Sequence, residues 1–210
     1  VMINEKVRTG ITLSLTYPND KALVTFPGSI GALEPSSIRP ELFGGYDHLH
    51  VSSIYFQPKL LNSLSSILRE AKSHGLTVSI DPQNDPSNRY EDIWQILEHT
   101  DIFLPNDREA KDIAGSLSLD AALDALSSKV QAVIIKCGSQ GAIAKMGERR
   151  VEAEPIKIHP VDTTGAGDSF DAGFIHCFVA KNHDLEASLR FANAMGALSC
   201  LYVGGAGGRI

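Results

Sequence analysis

Three things are scarce in this chain: basic charge, long apolar runs and cysteine. Across 210 residues, 19 Lys and Arg stand against 25 Asp and Glu, a formal net charge of −6. No basic patch is present of the kind that tracks a nucleic-acid backbone. The longest apolar stretches, such as residues 172–180, are too short and too interrupted to cross a bilayer. The opening "VMINEKVRTG" lacks the apolar centre of a secretory signal. Cys137, Cys177 and Cys200 are scattered and form no CxxC, which argues against a disulfide framework and a zinc site and suits a reducing, cytoplasmic compartment. The histidines show no metal spacing, and the absence of GxxxxGK excludes a P-loop kinase. "GGAGG" (residues 204–208) follows a helical stretch rather than a strand, so it is no dinucleotide loop.

What is present suits a globular domain. Hydrophobic residues make up 43% and charged residues 21%, enough for one well-buried core at this length. The chain opens on Val1 with strand-like residues and stops on "GGAGGRI" without a closing helix. It therefore reads as a fragment, with an N-terminal part and a tail after Ile210 lying outside it.

Two β-rich runs, residues 10–17 and 21–26, flank "PND", a hairpin turn signal. Residues 48–55 read as a short buried strand. Leu60, Leu61, Leu64, Ile67, Leu68 and Ala71 recur at helical spacing before Gly75. Further strands are expected at 76–81, 101–106, 130–136, 141–146 and 150–154. Further helices are expected at 90–99, 107–114, 119–128, 167–181 and 185–201. On the last, Phe191, Ala194, Leu198 and Leu201 are expected to face the core. Strand–helix alternation from 48 to 136 predicts parallel βαβ units in a single α/β domain, residues 31–210, with residues 1–30 as a small β lid. In such sheets ligands sit beyond the C-terminal strand ends, where "DPQND", "LPNDRE", "KCGSQG" and "DTTGAGD" all fall.

"VDTTGAGDSFDAGF" (residues 161–174) is the most informative stretch. Gly165, Ala166 and Gly167 permit a tight turn with outward N–H groups, and the helix that begins there adds partial positive charge, together an anion site. Asp168 stands beside it, able to take a proton from a hydroxyl attacking a phosphoryl group held by those N–H groups. Alone, an aspartate at that position is better explained as a helix cap. In "LPNDREAKDIAG", Asn106 and Glu109 have capping-box spacing after a strand. In "VIIKCGSQGAI", a buried strand runs from Lys136 into a glycine turn containing Gly138, Ser139 and Gly141. In "DPQNDP", Asp81 and Asn84 are phosphate-side candidates or, equally, members of a proline-fixed turn.

Together these segments resemble the ribokinase-like sugar kinases, the PfkB carbohydrate kinase family, and "DTTGAGDSFDAGF" resembles its signature. The resemblance implies a three-layer α/β sandwich with a mostly parallel central sheet and a β lid hairpin. It implies an ATP-dependent kinase acting on a sugar hydroxyl, with Asp168 as general base and Gly165 to Gly167 as the γ-phosphate anion hole. Asn106 and Glu109 would help arrange Mg²⁺ through water. Lys136, Gly138, Ser139 and Gly141 would lie against the nucleotide, and Asn193 near the adenine. A monovalent cation such as K⁺ would take oxygens from Asp162, Thr164, Cys200, Val203 and Gly205. The partner implied is a small sugar, not a nucleic acid or a membrane, and a homodimer is compatible with it. Two other readings stay open: a degenerate member that binds nucleotide or acts as an interaction domain without turnover, and a kinase of a non-sugar hydroxyl.

Overall fold

The computed structural model describes residues 3, 5–17 and 20–205. Its centre is a six-stranded sheet in the order β3 (His48–Ser52), β4 (Thr77–Asp81), β5 (Ile102–Phe103), β6 (Ala132–Lys136), β7 (Ala142–Met146) and β8 (Arg149–Ala153). The first four strands run parallel, and β6–β7–β8 pair antiparallel. The mixed sheet is the expected one, with crossovers through α1 (Pro58–Ser73), α2 (Ile93–Leu97), and the pair α3 (Asp107–Ala114) and α4 (Leu119–Ser127).

The three layers follow from side-chain alternation. Val133 and Ile135 of β6 face one way, with Phe103 and Ile143, into a core shared with α1 to α4. Ala132 and Ile134 face the other way, with Ile102, Leu104 and Ala144, into a core closed by α5 (Ala166–Ile175) and α6 (Leu185–Ser199). Residues on a strand point alternately to opposite faces, so one strand feeds both cores. Burial of these aliphatic groups is the main source of stability.

β1 (Ile11–Tyr17) and β2 (Asp20–Phe26) form a separate antiparallel pair. Ile11, Leu13, Val24 and Phe26 are all more than half exposed there. Pro18 and Asn19 of the expected "PND" turn lie outside the described residues. Among the described residues no helix is long and apolar enough to cross a membrane.

Three expectations are corrected. The helix at 90–99 shortens to α2, because the Asp85 carboxylate accepts backbone N–H bonds from Ser87, Arg89 and Tyr90. Tyr90 and Asp92 are also left-handed, at φ 48° and 60°, which no α-helix permits. The strand at 48–55 ends at Ser52 and is half-buried rather than buried, since β3 is the sheet's edge in this chain. Phe191 and Leu198 on α6, and Leu201 beyond its end, are exposed, and the buried stripe of α6 is Leu185, Ser188, Leu189, Ala192, Gly196 and Ser199. Small residues win that face because α5 and α6 pack closely. A methyl group added at Gly173 would lie 3.0 Å from Met195 Cγ and 3.2 Å from Ala192 Cα.

Candidate active site

The parallel strands deliver their C-terminal ends to one cleft. The β4 end contributes Asp81, Gln83 and Asn84; the segment after β5, Asn106 and Glu109; the end of β6, Lys136 and Gly138; the start of α5, Gly165, Gly167 and Asp168. These residues line a polar cavity of about 570 Å³. A second cavity, about 500 Å³, adjoins it. Its walls are mostly apolar, with Pro155, Ile156, Ile158, Phe170, Ala197 and Cys200, and Ser139, Gly141 and Asn193 also reach it. Lys136, Gly138 and Gly167 line both cavities, so the two form one cleft with a waist.

α5 begins at Gly165, whose φ of 75° turns the chain into the helix, and no side chain caps its first turn. The N–H groups of an opening turn lack partners within the helix, and the helix dipole adds partial positive charge. The Ala166 N–H already donates to the Thr163 carbonyl at 3.2 Å, which leaves the cleft-facing role to the turn around Gly167. Asp168 is exposed to the polar cavity, and its Oδ1 accepts from Gln83 Nε2 at 3.2 Å.

Lys136 lies beside this turn and is held fast by ion pairs in the interior. Its Nζ donates to Asp81 Oδ2 at 3.0 Å and to both oxygens of Asp171 at 3.2 Å. It would lie 3.7 Å from a Cβ added at Gly167. Burial alone would lower the Lys136 pKa, but Asp171 and Asp81 outweigh it and hold the ammonium above the usual lysine value. Burial pushes the Asp171 carboxyl well up, against the pull of Lys136. One ammonium cannot fully compensate two buried carboxylates. Asp81 is thus committed to Lys136 and to the Gln83 N–H.

Asn106 and Glu109 form the full capping box: Glu109 N–H donates to Asn106 Oδ1 at 2.8 Å, and Asn106 N–H to Glu109 Oε2 at 2.9 Å. Burial raises the Glu109 pKa, and the Asn106 N–H works against that. The box uses Oε2 alone, and Glu109 still lines the polar cavity. A hard, hydrated divalent ion suits such a carboxylate, since Mg²⁺ retains most of its waters.

The turn after β6 needs glycine at Gly141. Its φ is 89°, and an added Cβ would lie 2.0 Å from the Ala153 carbonyl. The Gly141 carbonyl accepts from the Cys137 N–H at 2.9 Å. Asn193 lines the apolar cavity with its amide donating to the Glu154 carbonyl at 2.7 Å.

Asp162 braces two segments, accepting from Thr164 N–H and Gly204 N–H, both at 2.9 Å. The Cys200 carbonyl accepts from Val161 and Asp162 N–H groups, and Gly205 approaches Thr164 and Gly165. The stretch from Asp162 to Thr164 therefore meets the stretch holding Cys200, Val203 and Gly205 beside the start of α5.

Sequence reasoning missed Gln83, Lys136 as an ion-pair centre, and Asp171. The "FDAGF" stretch shows a second aspartate one helical turn beyond Asp168, which is the signal that could have raised Asp171.

The sequence pattern described as pfkB family carbohydrate kinase matches residues 1–208. A protein of Archaeoglobus fulgidus described as an uncharacterized sugar kinase is 33% identical over 181 residues, 85% of this chain and 70% of the relative. A ribokinase of Bacillus subtilis is 32% identical over 146 residues, 70% of this chain but 47% of the relative. A solved structure described as a putative ribokinase II from E. coli in complex with ATP and Mg²⁺ superposes with a TM-score of 0.82 at 24% identity, covering 92% of this chain and 66% of that one. The chain thus spans about half to seven-tenths of the length of these proteins.

Proposed function

Because the chain belongs to the pfkB family of carbohydrate kinases, we propose that it carries the nucleotide and phosphoryl-transfer machinery of an ATP-dependent kinase acting on a sugar hydroxyl, with Asp168 as general base. One observation carries this reading: Asp168 stands in the uncapped first turn of α5, on the same cavity as Glu109, Lys136, Gly165 and Gly167. A base, an anion site and a metal-compatible carboxylate share one wall.

The apolar cavity suits the flat face of adenine, with Asn193 at its rim and Ser139 and Gly141 in the adjoining turn. The phosphate chain would cross the waist at Gly138 and Gly167, where neither residue has a side chain. At the far side, the acceptor hydroxyl gives its proton to Asp168. Its oxygen bonds to the γ-phosphorus as the bond to the bridging oxygen of ADP breaks. The turn from Gly165 to Gly167 and the helix dipole stabilise the charge on the transferred group. Lys136, tied to Asp81 and Asp171, would brace the floor of that turn. Mg²⁺ would be held through water by Glu109, whose orientation Asn106 fixes, and would neutralise phosphate charge. The meeting point of Asp162, Thr164, Cys200, Val203 and Gly205 supports a K⁺ site bracing the anion turn. The apolar face of the β1–β2 hairpin supports a lid or a paired assembly, and the free thiols suit a cytoplasmic setting.

The test is turnover by the full-length protein with ATP–Mg²⁺ and D-ribose, D-fructose and adenosine as acceptors. Asp168→Asn should cut kcat by about three orders of magnitude while leaving ATP–Mg²⁺ affinity unchanged. An Asp168→Asn variant that keeps most of its turnover overturns the assignment.

A further inference from the structure

The geometry points to Gln83 as the residue that positions Asp168, holding its carboxylate from the loop after β4. This rests on Asp168 being the base.

Gln83 joins the ends of β3 and β4 to the first turn of α5, three segments distant in sequence. Its Nε2 donates to Asp168 Oδ1 at 3.2 Å and to Ser52 Oγ at 3.2 Å. Its Oε1 accepts from Ser53 Oγ at 2.6 Å. An ionised carboxylate only accepts, so Asp168 and the Ser53 hydroxyl together fix which way the amide faces. The backbone is pinned as well: Gln83 N–H donates to Asp81 Oδ1 at 3.1 Å, and Ser53 N–H to the Asp81 carbonyl at 3.2 Å.

Both partners adopt left-handed backbone, Gln83 at φ 50° and Ser53 at φ 58°. Side chains other than Gly, Asn and Asp seldom tolerate that region, and strain of this kind gathers at functional sites. Here the two strained residues meet at one amide, and that amide faces the cavity that Asp168 lines.

The consequence is directional. An exposed aspartate can rotate about its side-chain bonds, and a general base must hold one geometry against its substrate. Holding Oδ1 leaves Oδ2 as the oxygen that takes the hydroxyl proton. Ser52 and Ser53, at the end of β3, set the amide from behind. No part of this arrangement needs Gln83 to touch substrate.

The test uses the full-length protein and three variants. Gln83→Glu keeps an acceptor for the Ser52 and Ser53 hydroxyls but puts a second negative charge beside Asp168. Its kcat should fall at least tenfold, with the Kd for ATP–Mg²⁺ within about twofold of wild type. Gln83→Ala should show a smaller loss of the same kind. A readout independent of turnover comes from thermal unfolding at low salt. Gln83→Glu should lower Tm by about 2–4 °C, and Gln83→Glu combined with Asp168→Asn should regain it, because the donor and acceptor are then exchanged. The paired variant should stay inactive.

If Asp168→Asn is inactive while both Gln83 variants turn over within twofold of wild type, the positioning role is wrong and the base assignment stands. If Asp168→Asn is active, the base assignment itself fails. If no acceptor is phosphorylated, the unfolding series decides: equal Tm values for Gln83→Glu and the paired variant overturn the contact.

Discussion

Lys136 Nζ sits 3.2 Å from both carboxylate oxygens of Asp171, and the pair ties the end of β6 to the second turn of α5 in the interior. The two sides of this contact are unequal. Removing the ammonium strands two carboxylates, whereas removing Asp171 leaves Lys136 paired with Asp81 at 3.0 Å. Lys136→Met should therefore cost about 3–5 kcal/mol, and Asp171→Asn about 1–2 kcal/mol, since the amide oxygen still accepts. Urea denaturation of both variants checks the order, and equal losses would contradict it.

Glu109 serves both a helix cap and the cavity, and one substitution separates them. Gln at the third helical position still completes a capping box. Glu109→Gln should leave stability within about 0.5 kcal/mol while raising the Mg²⁺ needed for half-maximal activity by about 10-fold or more. A Mg²⁺ titration of turnover, paired with a melting curve, reads both halves.

Gly141 is predicted to be the least replaceable glycine of the turn after β6. Gly141→Ala would bring a methyl group to 2.0 Å from the Ala153 carbonyl at φ 89°. The turn between β6 and β7 must shift to admit it, at a cost above about 2 kcal/mol. A drop in Tm of at least about 4 °C is expected.

His48 makes stability depend on pH. Thr77 gives its hydroxyl proton to the Asp47 carbonyl, so His48 Nδ1–H donates to Thr77 Oγ1 at 2.7 Å and Nε2 accepts from Ser79 at 2.8 Å. Burial first, and His50 second, lower its pKa from 6.5 to about 4. The unfolded chain then binds a proton that the folded chain refuses, so stability falls as pH drops from about 6.5 toward 4. Part exposure of the ring limits the loss to about 1–2 kcal/mol. Asp171 and Glu109, with raised pKa values, act in the opposite sense. The His48 share is the difference between wild type and His48→Gln in denaturation at pH 7.5 and pH 5. The difference should shrink as pH falls.

Most of the fold is legible in the sequence wherever local chemistry and tertiary packing agree. The Asn106–Glu109 box and the periodic leucines of α1 mark helices whose ends fall within a residue or two of expectation. The α6 face was misread because its packing partner, α5, selects small residues over large ones, and hydrophobicity alone points the other way. α2 was overextended because the Asp85 carboxylate captures the backbone that a helix would have used. At the site, glycines and capping spacing announce themselves locally. Lys136 meets Asp81 and Asp171 only across 55 and 35 residues, and Gln83 meets Asp168 across 85, so no window of sequence contains those contacts.

The tight seam at Gly173 has a bearing on how variants of this chain should be interpreted. Gly173 lines neither cavity, yet the seam against Ala192 and Met195 is tight enough that even a methyl group would make its neighbours give way. A larger residue would push α5 away from α6 and move the helix that presents Asp168 five residues earlier. In a saturation scan scored by activity, Gly173 should therefore group with the cleft residues, and a map drawn from ligand proximity alone would misfile it.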